Sequence, residues 1–284
     1  ALSFLLNYIY AKRYNGKCKL RFEDCNPEKV SSEFVNSNLE DIRDYLGIEL
    51  DEIRYVSDDM SLMYDYAMKL IEICKAYMCF CNREKMQDFR HKGIECECRK
   101  KNVEENKEEW KKFLEGKYIE GKAVLRIKCD MKSENHVMRD SVIFRIINKE
   151  HFRHKNKFKI WPMYDFYNPI EDSLMGVTHI LRSNEFDLRV ELQDYLKDLL
   201  KLKKQTIVQY GRFNVIESTT KGREIKELID SKEYIGWDDP RLVTLKALKR
   251  RGIVKEAFYE LVNHIGLSKY QVNLDFNFIA AINR

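Results

Sequence analysis

The stretch that decides the reading is residues 161–189, WPMYDFYNPIEDSLMGVTHILRSNEFDLR. Pro162 and Pro169 argue against one continuous helix, because each lacks an N–H and biases its predecessor towards extended backbone. Between them, YDFYN is expected to form a short strand or turn, with Tyr164 and Asp165 on different faces. After Gly176, VTHILRSNEF opens with β-branched Val177, Thr178 and Ile180 and closes on Arg182, Ser183, Asn184 and Glu185. An apolar strand running into a polar edge is what an α/β sheet presents where its carboxyl end opens on a ligand crevice. A surface loop with a satisfied salt bridge accounts equally well for this stretch taken alone.

The whole chain, at 284 residues, is long enough for a large core and two or more subdomains. Only 4 prolines and 11 glycines exclude fibrous repeats and extended disorder. There is no apolar run fit to span a membrane, no self-similar period and no visible secretory signal. A net charge of +5, with both signs mixed throughout, permits a polyanionic partner without demanding one. Of the eight cysteines, four stand as CFC and CEC, which suits a metal site better than a disulfide framework and points to a reducing cytoplasm.

Residues 2–14 place Leu2, Leu5, Leu6, Ile9 and Tyr10 at helical spacing, with Gly16 as a stop. CKLRF (18–22) reads as a strand that runs into Glu23, Asp24 and an Asn-Pro turn, a plausible ligand edge whose acids would equally cap the next helix. A helix is expected over 28–46, ended by Gly47, and another from a cap at Ser57 or Asp58 to about Ala76. Cys79-x-Cys81 and Cys96-x-Cys98, fourteen residues apart, can supply four thiolates to a tetrahedral zinc ion, although C-x2-C is the commoner spacing. Scattered free cysteines are the alternative. The mixed charges of 99–117 read as a solvated helix face.

From Gly121, AVLRIKCDM and VMRDSVIFRII read as an antiparallel hairpin in an insertion, on which Arg126, Arg139 and Arg145 could line a nucleic-acid surface. Residues 190–204 are an amphipathic helix, and 207–215 a short strand region. STTKGR (218–223) is a basic loop opening a helix, able to fold over phosphates. WDDPR (237–241) forms a turn between it and two further helices. The order of helices and strands is that of an α/β protein.

The ordered set RFEDCNP, CxC…CxC, LRIKCDM…MRDSVIFR, YDFYNPIEDS, GVTHILRSNEF, STTKGR and GWDDPRLVTLKALKRRGI resembles glutamyl-tRNA synthetases of the archaeal and eukaryotic type. These are class I enzymes that share a catalytic body with glutaminyl-tRNA synthetases, and the resemblance covers essentially the whole chain. It implies a Rossmann-type nucleotide-binding fold split by an α+β acceptor-end-binding insertion and followed by a helical stem-contact region. In residues, 1–74 and 161–210 would be the two halves of the catalytic domain. Residues 75–160 would be the insertion with a zinc knuckle, and 211–284 a KMSKS-like loop with the helical region.

The implied reaction joins glutamate to the 3′ end of tRNA through glutamyl-adenylate, using ATP with Mg2+ and a structural Zn2+ held by Cys79, Cys81, Cys96 and Cys98. The implied partner is the glutamate acceptor tRNA, with or without the glutamine acceptor, for a cytoplasmic monomer without membrane attachment. By resemblance, Glu23 holds the substrate ammonium and Tyr164 lines the amino-acid pocket. Arg182 stands where the glutaminyl relatives have cysteine and would pair with the substrate side-chain carboxylate. Lys221 and Thr220 match the catalytic lysine loop, and Arg212, Phe213 and Ser183 the nucleotide site. Asp24, Trp237, Asp238 and Arg241 match tRNA-facing positions.

The sequence departs from the family in Gly222 and Arg223, which replace a commoner Arg-Lys ending. It also lacks the HIGH motif, so a longer natural N-terminus is expected, as is a β-barrel anticodon-binding domain beyond Arg284. His264-Ile265-Gly266-Leu267 imitates HIGH only superficially. A glutaminyl enzyme, a paralogue acting on another acceptor, and a non-catalytic zinc-knuckle RNA-binding paralogue are the alternative readings. Arg182 opposes the first, WDDPR the second, and the retained Glu23, Tyr164, Arg182 and Lys221 the third.

Overall fold

A computed structural model describes residues 2–216, 219 and 221–284, so Thr220 lies outside the described residues. Helix α1 (Leu2–Arg13) buries Leu5 and Leu6. Strand β1 (Lys19–Phe22) leads through α2 (Ser32–Glu40) and a π-helical turn at Asp41–Tyr45 to β2 (Glu52–Tyr55), which pairs with β1 in parallel. Ser31 caps α2 by accepting from the Phe34 N–H, so this helix starts later than residue 28. A 3₁₀ turn (Val56–Asp59) feeds α3 (Met60–Glu72). That helix ends short of Ala76, because Cys74 takes the left-handed conformation and β3 (Ala76–Cys79) begins directly after it.

Helices α4 (Arg83–Lys92) and α5 (Val103–Leu114) separate β3 from β4 (Val124–Ile127), β5 (Val142–Ile146) and β6 (Ile160–Pro162). The four strands form one antiparallel sheet in the order β3-β4-β5-β6, so the expected hairpin is its centre. α5 keeps its charges outward but buries Trp110 and Phe113 on α3 and this sheet. Pro162 sits on the edge strand opposite Phe144, where a missing N–H interrupts no further ladder.

The expected strand or turn at YDFYN is instead the start of a helix, α6 (Tyr164–Leu174), with Pro169 inside it. The proline forfeits one bond, to the Asp165 carbonyl. Burial of Phe166, Tyr167, Pro169 and Ile170 against the sheet, with Phe166 edge-on to Phe144 at 4.8 Å, outweighs that loss.

Strand β7 (His179–Ser183) connects through α7 (Val190–Leu200) to β8 (Thr206–Tyr210), its parallel partner. A third parallel pair joins β9 (Phe213–Val215) to β10 (Val272–Leu274), across α8 (Gly222–Asp230), α9 (Leu245–Arg250) and α10 (Lys255–Ile265). Helix α11 (Phe276–Ile282) closes the described chain, and Gly266 confirms His264–Leu267 as a helix end. One core lies under the antiparallel sheet, with Met63, Leu125, Phe144, Trp161, Phe166 and Leu192. Another joins α1, β1 and α10 through Leu6, Leu20, Tyr210, Phe258 and Leu261. Between them, the carboxyl ends of β1 and β7 both open towards α6.

Candidate active site

At the end of β1 the chain turns out of the sheet and presents Glu23, whose side chain is 36 % exposed. Tyr167 of α6 donates to its Oε2 at 3.4 Å, and Arg21 approaches its Oε1 at 3.3 Å. Arg21 is itself buried and held by Asp172 at 2.6 Å. Burial works against its charge, but Asp172 and then Glu23 outweigh it and keep its pKa above the ordinary value. The Asn168 amide is satisfied when its nitrogen donates to Asp172 at 3.3 Å and its oxygen accepts from Arg21. Glu23 is therefore a fixed, accessible carboxylate with capacity left for a cation.

Arg182, near the end of β7, is only 8 % exposed. Its Nη1 donates to Gln193 of α7 at 2.8 Å. Its Nε and Nη2 are buried and have no partner among the described residues. These two groups are one side of the guanidinium, the fork that matches both oxygens of a carboxylate. A buried cation without a counter-charge is expensive, so this edge is built for an anion.

Tyr164 lies between the two ends of the site. Its ring packs on Phe186 at 5.5 Å and edge-on to Tyr167 at 5.8 Å, with the Arg189 guanidinium 5.5 Å from its centroid. Burial first, then the Glu23 charge, pushes its phenol up to about 12, while Arg182 pulls the other way. The ring is thus within electrostatic reach of both Glu23 and Arg182. Sequence reasoning singled out Glu23, Tyr164 and Arg182; the Tyr164 phenol feels the charges of the other two, and no hydrogen bond or ion pair joins the three among the described residues. That reasoning gave no role to Arg21, Tyr167, Asn168, Asp172, Phe186 or Gln193. All but Gln193 stood inside a quoted motif, and nothing in the sequence marked Gln193.

Ser183 and Tyr210 are partners at the carboxyl ends of β7 and β8, and the Ser183 hydroxyl is buried without a partner among the described residues. Phe213 stacks on Tyr210 at 5.3 Å, and Arg212 lies 3.8 Å from Glu185. Gly211 makes this crossing possible: a Cβ there would sit 1.8 Å from the Tyr270 carbonyl oxygen, and its N–H donates to Ser268 at 2.7 Å. Ser183, next to Arg182, is thus linked through its strand partner Tyr210 to Phe213, and Arg212 adjoins Phe213. Lys221 is exposed at the start of α8 and pairs with Glu224 at 2.7 Å.

Asp24 is not free to touch a macromolecule, contrary to expectation. It is 1 % exposed and accepts from the Ser57 N–H at 2.8 Å and the Ser57 hydroxyl at 2.6 Å. Its carbonyl accepts from the Nε2–H of His151 at 3.0 Å, whose Nδ1 faces the N–H groups of Arg153 and His154. Burial, partly offset by Asp24, keeps this histidine below its ordinary pKa and hence neutral at pH 7. Asp24 anchors the loop after β1 to the residues beyond β5.

Trp237 stands edge-on to Phe34 at 6.2 Å, and the exposed Asp238 pairs with Arg250 at 3.1 Å. Arg241 grips Asp239 at 2.8 Å with its guanidinium 4.0 Å from the Tyr234 ring centroid, so WDDPR is the compact turn expected.

The sulfur atoms of Cys79, Cys81, Cys96 and Cys98 all lie within 4.8 Å of one another, with Cys79 and Cys96 at 3.9 Å. A tetrahedral zinc site with ~2.3 Å bonds has sulfur–sulfur edges of about 3.8 Å, so the quartet fits such an ion. Arg126 is buried rather than surface-facing. Its Nη1 lies 3.8 Å from the Cys79 sulfur and 3.7 Å from that of Cys96, and its Nε donates to the Asp140 carbonyl at 2.7 Å. Four thiolates around a dication leave net negative charge, and Arg126 is placed to balance it. Arg139 is likewise spent on backbone carbonyls, those of Ser133, Arg90 and His91. Arg126 is therefore unavailable to a nucleic-acid surface, whereas Arg139 and Arg145 remain partly exposed.

On α6, Glu171 is fully buried, its oxygens have no hydrogen bond among the described residues, and Arg54 approaches it at 3.9 Å. Burial, then the Asp59 charge, pushes its carboxyl up to about 7 against the pull of Arg21 and Arg54. The folded protein therefore holds this proton where the unfolded chain releases it. The resulting stability is present below the ordinary glutamate range and lost as pH rises through about 7. Glu171→Gln is expected to raise the melting temperature at pH 8 relative to the parent, and to change it little at pH 4. Equal effects at both values would contradict a buried titrating group.

An accessible carboxylate, Glu23, and a half-satisfied buried arginine, Arg182, thus stand at the carboxyl ends of two parallel strands of an α/β body. A family model described as tRNA synthetases class I (E and Q), catalytic domain, matches residues 1–284. The chain is 41% identical over 287 residues to the glutamate–tRNA ligase of Pyrococcus horikoshii and 37% identical over 284 residues to that of Methanocaldococcus jannaschii. Those matches cover 100% of this chain and 50% and 51% of the relatives, so it spans about half their length. The crystal structure of a glutamate tRNA ligase from Elizabethkingia meningosepticum in complex with its amino acid superposes with a TM-score of 0.67 at 18% identity, over 99% of this chain and 65% of the other. The chain belongs to the class I tRNA synthetase family for glutamate and glutamine, and its fold is the class I α/β fold.

Proposed function

We propose that this chain carries the catalytic body of a glutamate–tRNA ligase, which uses ATP to activate glutamate and passes it to the 3′ end of tRNA. The observation that carries the choice of glutamate is the buried, unpartnered Nε–Nη2 edge of Arg182. A glutamate side-chain carboxylate satisfies that edge with two charge-assisted bonds, whereas the amide of glutamine offers one oxygen and no charge. Glu23 takes the substrate ammonium, and Tyr164 with Phe186 encloses the methylene chain. Arg212, Phe213 and Ser183 lie where the adenosine would rest. Lys221 leaves Glu224 to meet the phosphates. An exposed pair of that kind holds it by only about 0–1 kcal/mol, so the switch is cheap. Thr220 is assigned beside it by family resemblance alone.

Residues 1–74 and 161–210 form the halves of the catalytic domain in this reading, 75–160 the acceptor-end insertion and 211–284 the lysine loop with the stem-contact helices. The exposed Asp238 and Arg241, with Trp237, face the tRNA stem, and Asp24 acts indirectly by fixing the loop that carries Glu23. The acceptor is the glutamate tRNA, for a monomer working in the cytoplasm. All eight cysteines are free, as a reducing compartment keeps them, and no described helix is long and apolar enough to cross a membrane. Magnesium arrives with the ATP phosphates.

Zinc on Cys79, Cys81, Cys96 and Cys98 would be structural, tying the end of β3 to the turn after α4 and supplying no step of the reaction. Reduced protein is expected to carry about one zinc per chain. Metal analysis that finds none would remove the knuckle.

The reaction is tested by tRNA-dependent ATP–pyrophosphate exchange with glutamate and with glutamine, on the protein at its natural length. Exchange with glutamate alone is expected. Exchange with glutamine alone would move the chain to the glutaminyl enzymes, and none with either would favour an RNA-binding role without catalysis.

A further inference from the structure

We propose that Gln193 is a specificity-determining positioning residue, which fixes Arg182 through a neutral contact and so leaves its charge and its two-donor edge for the substrate. This rests on the reading of Arg182 as the carboxylate anchor. Gln193 is 1 % exposed, and its amide orientation is set from both sides. Oε1 accepts from Arg182 Nη1 at 2.8 Å, while Nε2 donates to Asp165 Oδ1 at 3.4 Å. Asp165, on α6, is already paired with Arg189. The amide thus stands between Arg182 and Asp165, two groups that would otherwise neutralise one another. Holding Nη1 also settles the plane of the guanidinium, because a planar fork with one corner fixed and the Phe186 ring 5.8 Å away has little freedom left.

A carboxylate in place of that amide would supply the counter-charge internally, and the pocket would then have less need of an anion. Gln193→Glu is therefore expected to weaken glutamate binding at least about tenfold while leaving glutamine binding equal or stronger, a loss of charge-assisted contact rather than of shape. Gln193→Met keeps the volume and adds no charge. It is expected to weaken glutamate several-fold through the freed guanidinium, with the preference for glutamate retained.

The test is calorimetric titration of the parent protein and both variants with glutamate and with glutamine, alongside their melting temperatures. A parent that does not prefer glutamate overturns the Arg182 reading itself. A parent that prefers glutamate, with Q193E keeping that preference, overturns the role of Gln193 alone. A parallel loss of both amino acids in Q193E with unaltered glutamate binding in Q193M also overturns it, because the residue would then be a packing element.

Discussion

Arg182→Cys is expected to raise the KM for glutamate by roughly 10²- to 10³-fold, corresponding to about 3–5 kcal/mol for breaking a buried charge pair. The KM for ATP should stay within a few-fold of the parent, because Ser183, Arg212 and Phe213 are left in place. A second outcome separates this from misfolding. Without substrate, Arg182 is buried with two donors unmet, so its removal should leave the free protein as stable or more stable than the parent. Lost glutamate use together with a retained or raised melting temperature is the expected pair of results. Equal damage to glutamate and ATP use would place Arg182 in the scaffold.

Lys221→Ala is expected to slow adenylate formation by about 10²- to 10³-fold, the range seen when one preorganised donor to a developing charge is lost. Glutamate binding should be unaffected, since Lys221 pairs with Glu224 and has no hydrogen bond or ion pair with Glu23, Tyr164 or Arg182 among the described residues. The pair with Glu224 is exposed, so the stability change should fall within about 1 kcal/mol. Pre-steady-state measurement of adenylate separates these effects, and a parental rate would make the loop a structural cap on α8 only.

The parts of the fold that were legible in sequence share one physical feature: a local pattern that agrees with its tertiary setting. The α1 spacing, the β4–β5 alternation, the amphipathic α7 and the WDDPR turn are all of this kind. α6 was not legible, because pre-proline geometry argues locally against a helix that burial on a sheet enforces. The starts and ends of α2 and α3 moved because Ser31 and Cys74 act through single side-chain or backbone geometries that periodicity does not register.

Within the site, the residues proposed to contact a ligand were readable because unusual chemistry in an ordered set of motifs betrayed them. Those that aim them were not. Gln193, Phe186 and the Arg21–Asp172 pair become neighbours only once α6 and α7 are packed together, and a glutamine in an amphipathic helix carries no mark of its own. Arg126 and Asp24 show the reverse error. A basic residue in a strand and an acid at a strand end both suggested a surface, yet each is spent inside the protein.

The most direct test of the central claim is a crystal structure of the chain with glutamate bound. The account predicts the side-chain carboxylate lying flat against Nε and Nη2 of Arg182, with the ammonium at Glu23 and Tyr164 alongside the chain. Glutamate bound with its side chain away from Arg182, and that edge still without an anion, would contradict it.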